Sequence, residues 1–319
     1  MSFKVRRFFV GLVVACMLFA PVLGQAEGWA PKGSITLQVA FGAGGSTDMI
    51  TRLLAANIEK TTGWNIVVEN KPGGGGVAML SGLMHKKPDG QILGVAVNMP
   101  IVINLALRGD KLPFKISSFD YIGTMANIEL GLCSKADAPF NDFAGFLEHA
   151  KKTGAIIGFD AKPQQLVYTA IGKKTGVKMK LVSHKSGAEQ IQGLLGGHIM
   201  AACLAGEQIK YIKSGDLKLI ASMSKKRHGY APDVKTLIES GYDYYLDPYF
   251  YIAAPKGLPA NVKATLTKVV NNSLQSAEVK EAINNVLKVD PLNLGPEGTQ
   301  KMMEEGMVDI AYLLKAGKQ

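Results

Sequence analysis

What most constrains this 319-residue chain is an alternation. Short apolar runs, closed by glycine- or proline-rich turns, change places with amphipathic stretches along most of its length. That rhythm predicts α/β architecture with mostly parallel sheets, because each amphipathic stretch is a helix carrying the chain back over a sheet face. Residues 35–41 read as a first strand ended by Gly42-Ala43-Gly44-Gly45. Ser46 or Thr47 then caps a helix whose Ile50, Leu53, Leu54 and Ile58 recur at helical spacing, with Gly63 as its stop. Residues 65–68 form a second strand, 77–87 a helix and 92–97 a third strand, followed by a polar connection. The theme restarts at strand 130–134. Helices are expected at 142–152, 164–174 and 188–195, and strands at 156–159, 179–182, 199–204 and 217–222. One aromatic strand, 249–253, precedes a mainly helical end. The length suffices for two domains.

The N-terminus differs in kind. Lys4, Arg6 and Arg7 precede an apolar run from Phe8 to Leu23, and Gly24-Gln25-Ala26 supplies small side chains for cleavage after Ala26. That is the order of a secretory signal over residues 1–26. A lipoprotein site at Cys16 is the rival reading, but it would leave an apolar start to the mature chain. The run is too short for a retained anchor. The mature protein is expected in the periplasm, or on the outer surface of a cell with a single membrane.

Removing residues 1–26 takes away three of the 36 basic side chains and no acid. That leaves 33 against 26, a surplus of +7. Such a surplus favours anionic ligands or surfaces, or is simply a solvated basic exterior. Nucleic acid is not expected as a partner, since no basic–aromatic cluster is present. Cys133 and Cys203 read as buried small hydrophobes, with a bridge between them as the alternative.

Ligands of open α/β sheets bind beyond the carboxyl ends of strands. The loop Phe41, Gly42, Ala43, Gly44, Gly45, Ser46, Thr47, Asp48 lies at such an end. Its amides and the following helix dipole favour a carboxylate or phosphate. The plainer reading is a glycine-rich turn capped by Asp48 or Ser46. It is no P-loop, for it lacks lysine, and no dinucleotide fingerprint, for Thr47 stands where a third glycine belongs. The five histidines are scattered without metal-ligand spacing or a nucleophile motif, so no metal and no cofactor are expected. His184 alone follows a strand near the expected cleft. An enzyme using Asp48 or His184 as acid or base remains an unsupported reading. In the aromatic stretch 242–251 one face is expected in the core and the other along a pocket.

Several segments together resemble one family, the substrate-binding proteins of tripartite tricarboxylate transporters, often called the Bug family. They are Phe41-Gly-Ala-Gly-Gly-Ser-Thr-Asp48 with Arg52, Val67-Val-Glu-Asn-Lys-Pro-Gly-Gly-Gly-Gly76, and Lys87-Pro-Asp-Gly90. Lys185-Ser-Gly187, Leu194-Leu-Gly-Gly197, Pro232-Asp-Val-Lys-Thr-Leu-Ile-Glu-Ser-Gly241 and Ala254-Pro-Lys-Gly-Leu-Pro259 follow in order. The resemblance implies a type II periplasmic-binding-protein fold, two α/β lobes joined by a hinge of crossing strands. Residues 27–130 plus 224–319 would form one lobe and 131–223 the other. It further implies a monomeric, non-enzymatic solute-binding protein. Such a protein holds a small organic acid (carboxylate) and delivers it to membrane permease subunits; a sensing role at a membrane receptor is the alternative.

By the same resemblance the first loop holds a carboxylate, and Ser183, His184, Lys185, Ser186 and Gly187 face it from the other lobe. Asn98 and Tyr249 would line the cleft. The chain also departs from the family pattern. Ala161-Lys162-Pro163-Gln164-Gln165 replaces a loop rich in small hydroxyls, so that Lys162, Gln164 and Gln165 offer longer donors. An acidic position near the end of strand 199–204 reads as apolar, at Leu204 and Ala205.

Overall fold

A computed structural model describes residues 28–318; the expected export signal and Cys16 lie outside them. The strands run β1 (Ile35–Val39), β2 (Ile66–Asn70), β3 (Ile92–Val97), β4 (Phe119–Asn127) and β5 (Gly131–Lys135). They continue as β6 (Ala155–Phe159), β7 (Met179–Ser183), β8 (Ala201–Leu204), β9 (Leu217–Ser222) and β10 (Tyr249–Pro255). Helices α1 (Ser46–Thr62), α2 (Val77–Leu83) and α3 (Asn98–Arg108) belong to the first part of the chain. α4 (Phe143–Thr153), α5 (Lys162–Thr175), α6 (Gly187–Leu195) and α7 (Gln208–Ser214) cover the middle. Four more close it: α8 (Ala260–Gln275), α9 (Ala277–Leu287), α10 (Gly295–Asp309) and α11 (Ala311–Lys318).

Two five-stranded sheets result, ordered β2-β1-β3-β10-β4 and β7-β6-β8-β5-β9. Each has three parallel strands, as the alternation predicts, but neither is parallel throughout. β10 runs antiparallel to β3 and β4, and β5 runs antiparallel to β8 and β9. The reversal has a chain-tracing cause. β5 reaches its sheet directly from β4 in the other lobe, and β10 returns from the second lobe to the first. Each therefore enters without the helical crossover that makes neighbours parallel. Two chain segments, 128–130 and 223–248, thus join the lobes.

Local signals place most elements. Gly63 ends α1 in the left-handed conformation, φ 74°, and its N–H donates to the Glu59 carbonyl at 2.9 Å. Asp142 caps α4 by accepting from the Gly145 amide at 2.8 Å. Cys133 and Cys203 lie on adjacent strands, buried and free. In β10, Phe250 and Tyr251 are both fully buried, on opposite faces of a strand flanked on both sides.

The polar connection expected after residue 97 is instead α3 and β4. β3 passes into α3 with no intervening loop, so no turn residue marks the change. β4 is disguised by polar residues that find partners. Thr124 donates to the Leu292 carbonyl at 2.6 Å and accepts from the Leu294 amide at 2.9 Å. Asp120 accepts from Lys256 Nζ at 2.9 Å and from the amides of Gly257 and Leu258 at 2.7 and 2.9 Å. Burial pushes the Asp120 carboxyl up, but Lys256 and the two amides outweigh it and hold it below the usual range. Asp120→Asn is expected to cost about 1–3 kcal/mol, the price of a charged acceptor on buried donors, measured as a shift in denaturation midpoint at unchanged slope.

Candidate functional site

The loop between β1 and α1 is held rigid from within. Asp48, in the first turn of α1, folds back to accept from the Gly44 amide at 2.9 Å. Arg52 Nε reaches both Asp48 oxygens at 3.0 Å, and Asn70 Nδ2 adds a bond at 2.9 Å. Asn70 Nδ2 also donates to the Phe41 carbonyl at 3.0 Å. Gly44 sits at φ 78°, which lets the chain turn here without a Cβ penalty. Burial pushes the Asp48 carboxyl up, but the bonds from Arg52, Gly44 and Asn70 win and hold it below the usual carboxylate range. Asp48 is therefore a brace for the loop.

The second lobe closes directly on this loop. The Gly42 amide donates to the Lys185 carbonyl at 2.8 Å. A Cβ on Gly42 or Gly45 would press on Ser186 Cβ at 3.3 or 3.2 Å, so the glycines permit the approach. Glu207, just beyond β8, reaches across. Its Oε1 accepts from the Ser46 amide at 2.6 Å and its Oε2 from the Ala205 amide at 2.9 Å. A Cβ on Gly187 would collide with this carboxylate. The first amide of α1 thus binds a carboxylate, and in this closed form the carboxylate is the protein's own. The expectation of apolar residues in place of an acid near the end of β8 is corrected here: the acid comes three residues after Leu204 and turns back toward the strand.

Between the lobes remains a cavity open to water-sized molecules over about 50 Å³, several times the space one water needs. Phe41, Gly45, Ser46, Thr47, Gln164, Ser186, Gly187 and Ala205, all expected at the site, line it. Apolar side chains form much of the rest, among them Met99, which sequence reasoning missed, and Phe250 of the aromatic stretch expected to present one face to a pocket. So do two acids, Glu207 and Asp160, the latter just beyond β6. Burial and then the Glu207 charge push the Asp160 carboxyl up to about 7, against Gln164 and its own amide. No lysine, arginine or histidine lines the cavity among the described residues.

Other expected residues stand elsewhere. Asn98 and Tyr249 line a separate crevice beside α10 and α11, where the Tyr249 amide donates to Asn98 Oδ1 at 2.8 Å. Lys162 turns to Gln165 Oε1 at 2.8 Å, outside the cavity. Ala43 and Gly44 are exposed, as are Ser183 and Lys185, and Leu204 is buried in its sheet. His184 packs against Gly158 and Gly193, and burial holds its ring below the usual histidine range. No described group satisfies its buried Nε2. Among the described residues no cluster of metal-ligating side chains occurs.

Residues 50–316 match the model of the tripartite tricarboxylate transporter family receptor. The chain belongs to this receptor family. The periplasmic binding protein BugD is 27% identical and superposes with a TM-score of 0.83, over 90% of this receptor and 99% of that chain. The UPF0065 protein in the gbd 5' region of Cupriavidus necator is 28% identical over 274 residues, 82% of this chain and 81% of its own. MatC from Rhodopseudomonas palustris, solved with bound malate, shares the fold at 20% identity and TM-score 0.80, over 89% and 100% of the two chains. The two-lobe α/β fold is that of these binding proteins. No described helix of the receptor is long and apolar enough to cross a membrane.

Two outcomes follow from this geometry. Glu207→Ala removes the lobe-bridging acceptor, and the unliganded protein is expected to show a larger radius of gyration by solution scattering. Asp48→Asn is expected to cost about 1–3 kcal/mol at pH 7. A carboxyl held below its ordinary value of about 3.9 stabilises fully above that value and loses its contribution as pH falls through the folded one. The gap between wild type and Asp48→Asn should therefore shrink below about pH 4, read from paired denaturation curves.

Proposed function

We propose that this receptor, exported from the cytoplasm, captures a small carboxylate-bearing solute between its lobes. It then presents the closed complex to the membrane permease subunits of a tripartite tricarboxylate transporter. The observation that carries the reading is the Ser46 amide holding the Glu207 carboxylate at 2.6 Å. The helix start binds such a group with a short, charge-assisted bond, in a space walled from bulk water. The loop is not vacant, as the sequence alone would have it. An arriving carboxylate competes with Glu207 for the same amide.

Family membership supports the transport role, and the likeness to BugD, a periplasmic binding protein, supports the location. Malate in MatC supports the ligand class. Lobe closure around the solute gives the permease a shape that distinguishes loaded from empty protein.

Calorimetric and thermal-shift titration with mono-, di- and tricarboxylates, aromatic acids and amino acids tests this. At a hundredfold excess over Kd, the cognate acid is expected to add about 2.7 kcal/mol of stability. If every acid leaves heat and melting temperature unchanged, the reading fails.

A further inference from the structure

The cavity between the lobes contains two carboxyl groups, Asp160 beyond β6 and Glu207 beyond β8, and no basic side chain among the described residues that line it. The remaining wall is largely apolar: Val97, Met99, Ile128, Leu130 and Phe250 contribute no charge. Candidate cations nearby are turned away. Lys162 is bound to Gln165 at 2.8 Å, and the exposed Lys185 contributes only its backbone, through its carbonyl to Gly42 and its amide to Glu189 at 2.8 Å. Two acids lining one small cavity repel each other, and a largely buried charge without a counterion is costly. A plain dicarboxylate entering here would add to that repulsion.

We infer that the solute carries a protonated amine beside its carboxylate, and that Asp160 and Glu207 receive the amine. The substrate class is then a small amino acid. This inference rests on the proposed carboxylate reading and narrows it. The solute's carboxylate takes the Ser46 amide, and the Glu207 oxygen it displaces turns to the ammonium. Asp160 supplies the second acceptor from the adjoining strand end. Glu207 retains the Ala205 amide through its other oxygen. The roughly 50 Å³ open to water-sized molecules suits a compact solute over a long chain.

Matched pairs differing by one ammonium group test the idea by calorimetry on the purified protein: acetate with glycine, propionate with β-alanine, butyrate with γ-aminobutyrate, succinate with aspartate. The amine-bearing member of at least one pair is expected to bind roughly tenfold tighter or more, since a buried charge pair is worth that much. Asp160→Asn keeps the shape and removes the charge. It should weaken that ligand by roughly thirtyfold or more, while its acid counterpart binds as well as before or better. Acids that bind as well as their amine-bearing partners, or an amine-bearing ligand that binds Asp160→Asn as tightly as wild type, overturn the inference while leaving the carboxylate reading intact. The wild-type comparison decides even if the variant is unstable. Failure of all eight compounds together with every other organic acid overturns both.

Discussion

The closed arrangement turns on one carboxylate. Glu207 accepts from the first amide of α1 in one lobe and from Ala205 in the other, so a single side chain satisfies donors on both sides of the cleft. The backbone bond from Gly42 to Lys185 reinforces it. Both contacts need close approach, which is why glycine stands at 42, 45 and 187, where a Cβ would press on Ser186 or strike Glu207. A helix N-terminus is an anion site by construction, and here an internal acid occupies it. On the proposed reading, ligand recognition is an exchange between carboxylates, and its energetics are those of a difference.

The two sheets have the same strand order when matched position by position, with the strand arriving from the other lobe fourth in each. This places the carboxyl ends of β1, β3, β6, β7 and β8 around one crevice, the location open sheets offer for binding. It also puts the linking segments 128–130 and 223–248 side by side at the base of the cleft. One continuous cluster of buried apolar side chains runs through both sheets, so the lobes share a core as well as two links.

Much of this could be read from the chain. The Gly42–Asp48 loop, the strand before it and the helix after it announce themselves through glycine, a hydroxyl cap and 3.6-residue spacing. Ser186 and Gly187 were legible through the resemblance of Lys185-Ser-Gly187 to the family's second-lobe segment. Asp160 and Glu207 were not. Each is a lone acid following an apolar strand, indistinguishable in sequence from a solvated loop residue, and neither belongs to a periodic pattern. Asn98 and Tyr249 misled for the opposite reason. Both sit at strand ends near the cleft, but the bond between them faces a neighbouring crevice. α3 escaped because no loop separates it from β3, and β4 because its polar residues are paid for by partners more than a hundred positions away.

The sequence by itself determined the class of fold, the receptor family and the anion-receiving strand end, because these depend on local propensity, hydrophobic period and short motifs. Only the tertiary structure decided the sign of the charge inside the cavity and the identity of what sits on the Ser46 amide. Those depend on side chains from strand ends far apart in the chain meeting across a gap. An electrostatic field in a closed space is a sum over neighbours, and neighbours of that kind are invisible until the lobes are folded and brought together.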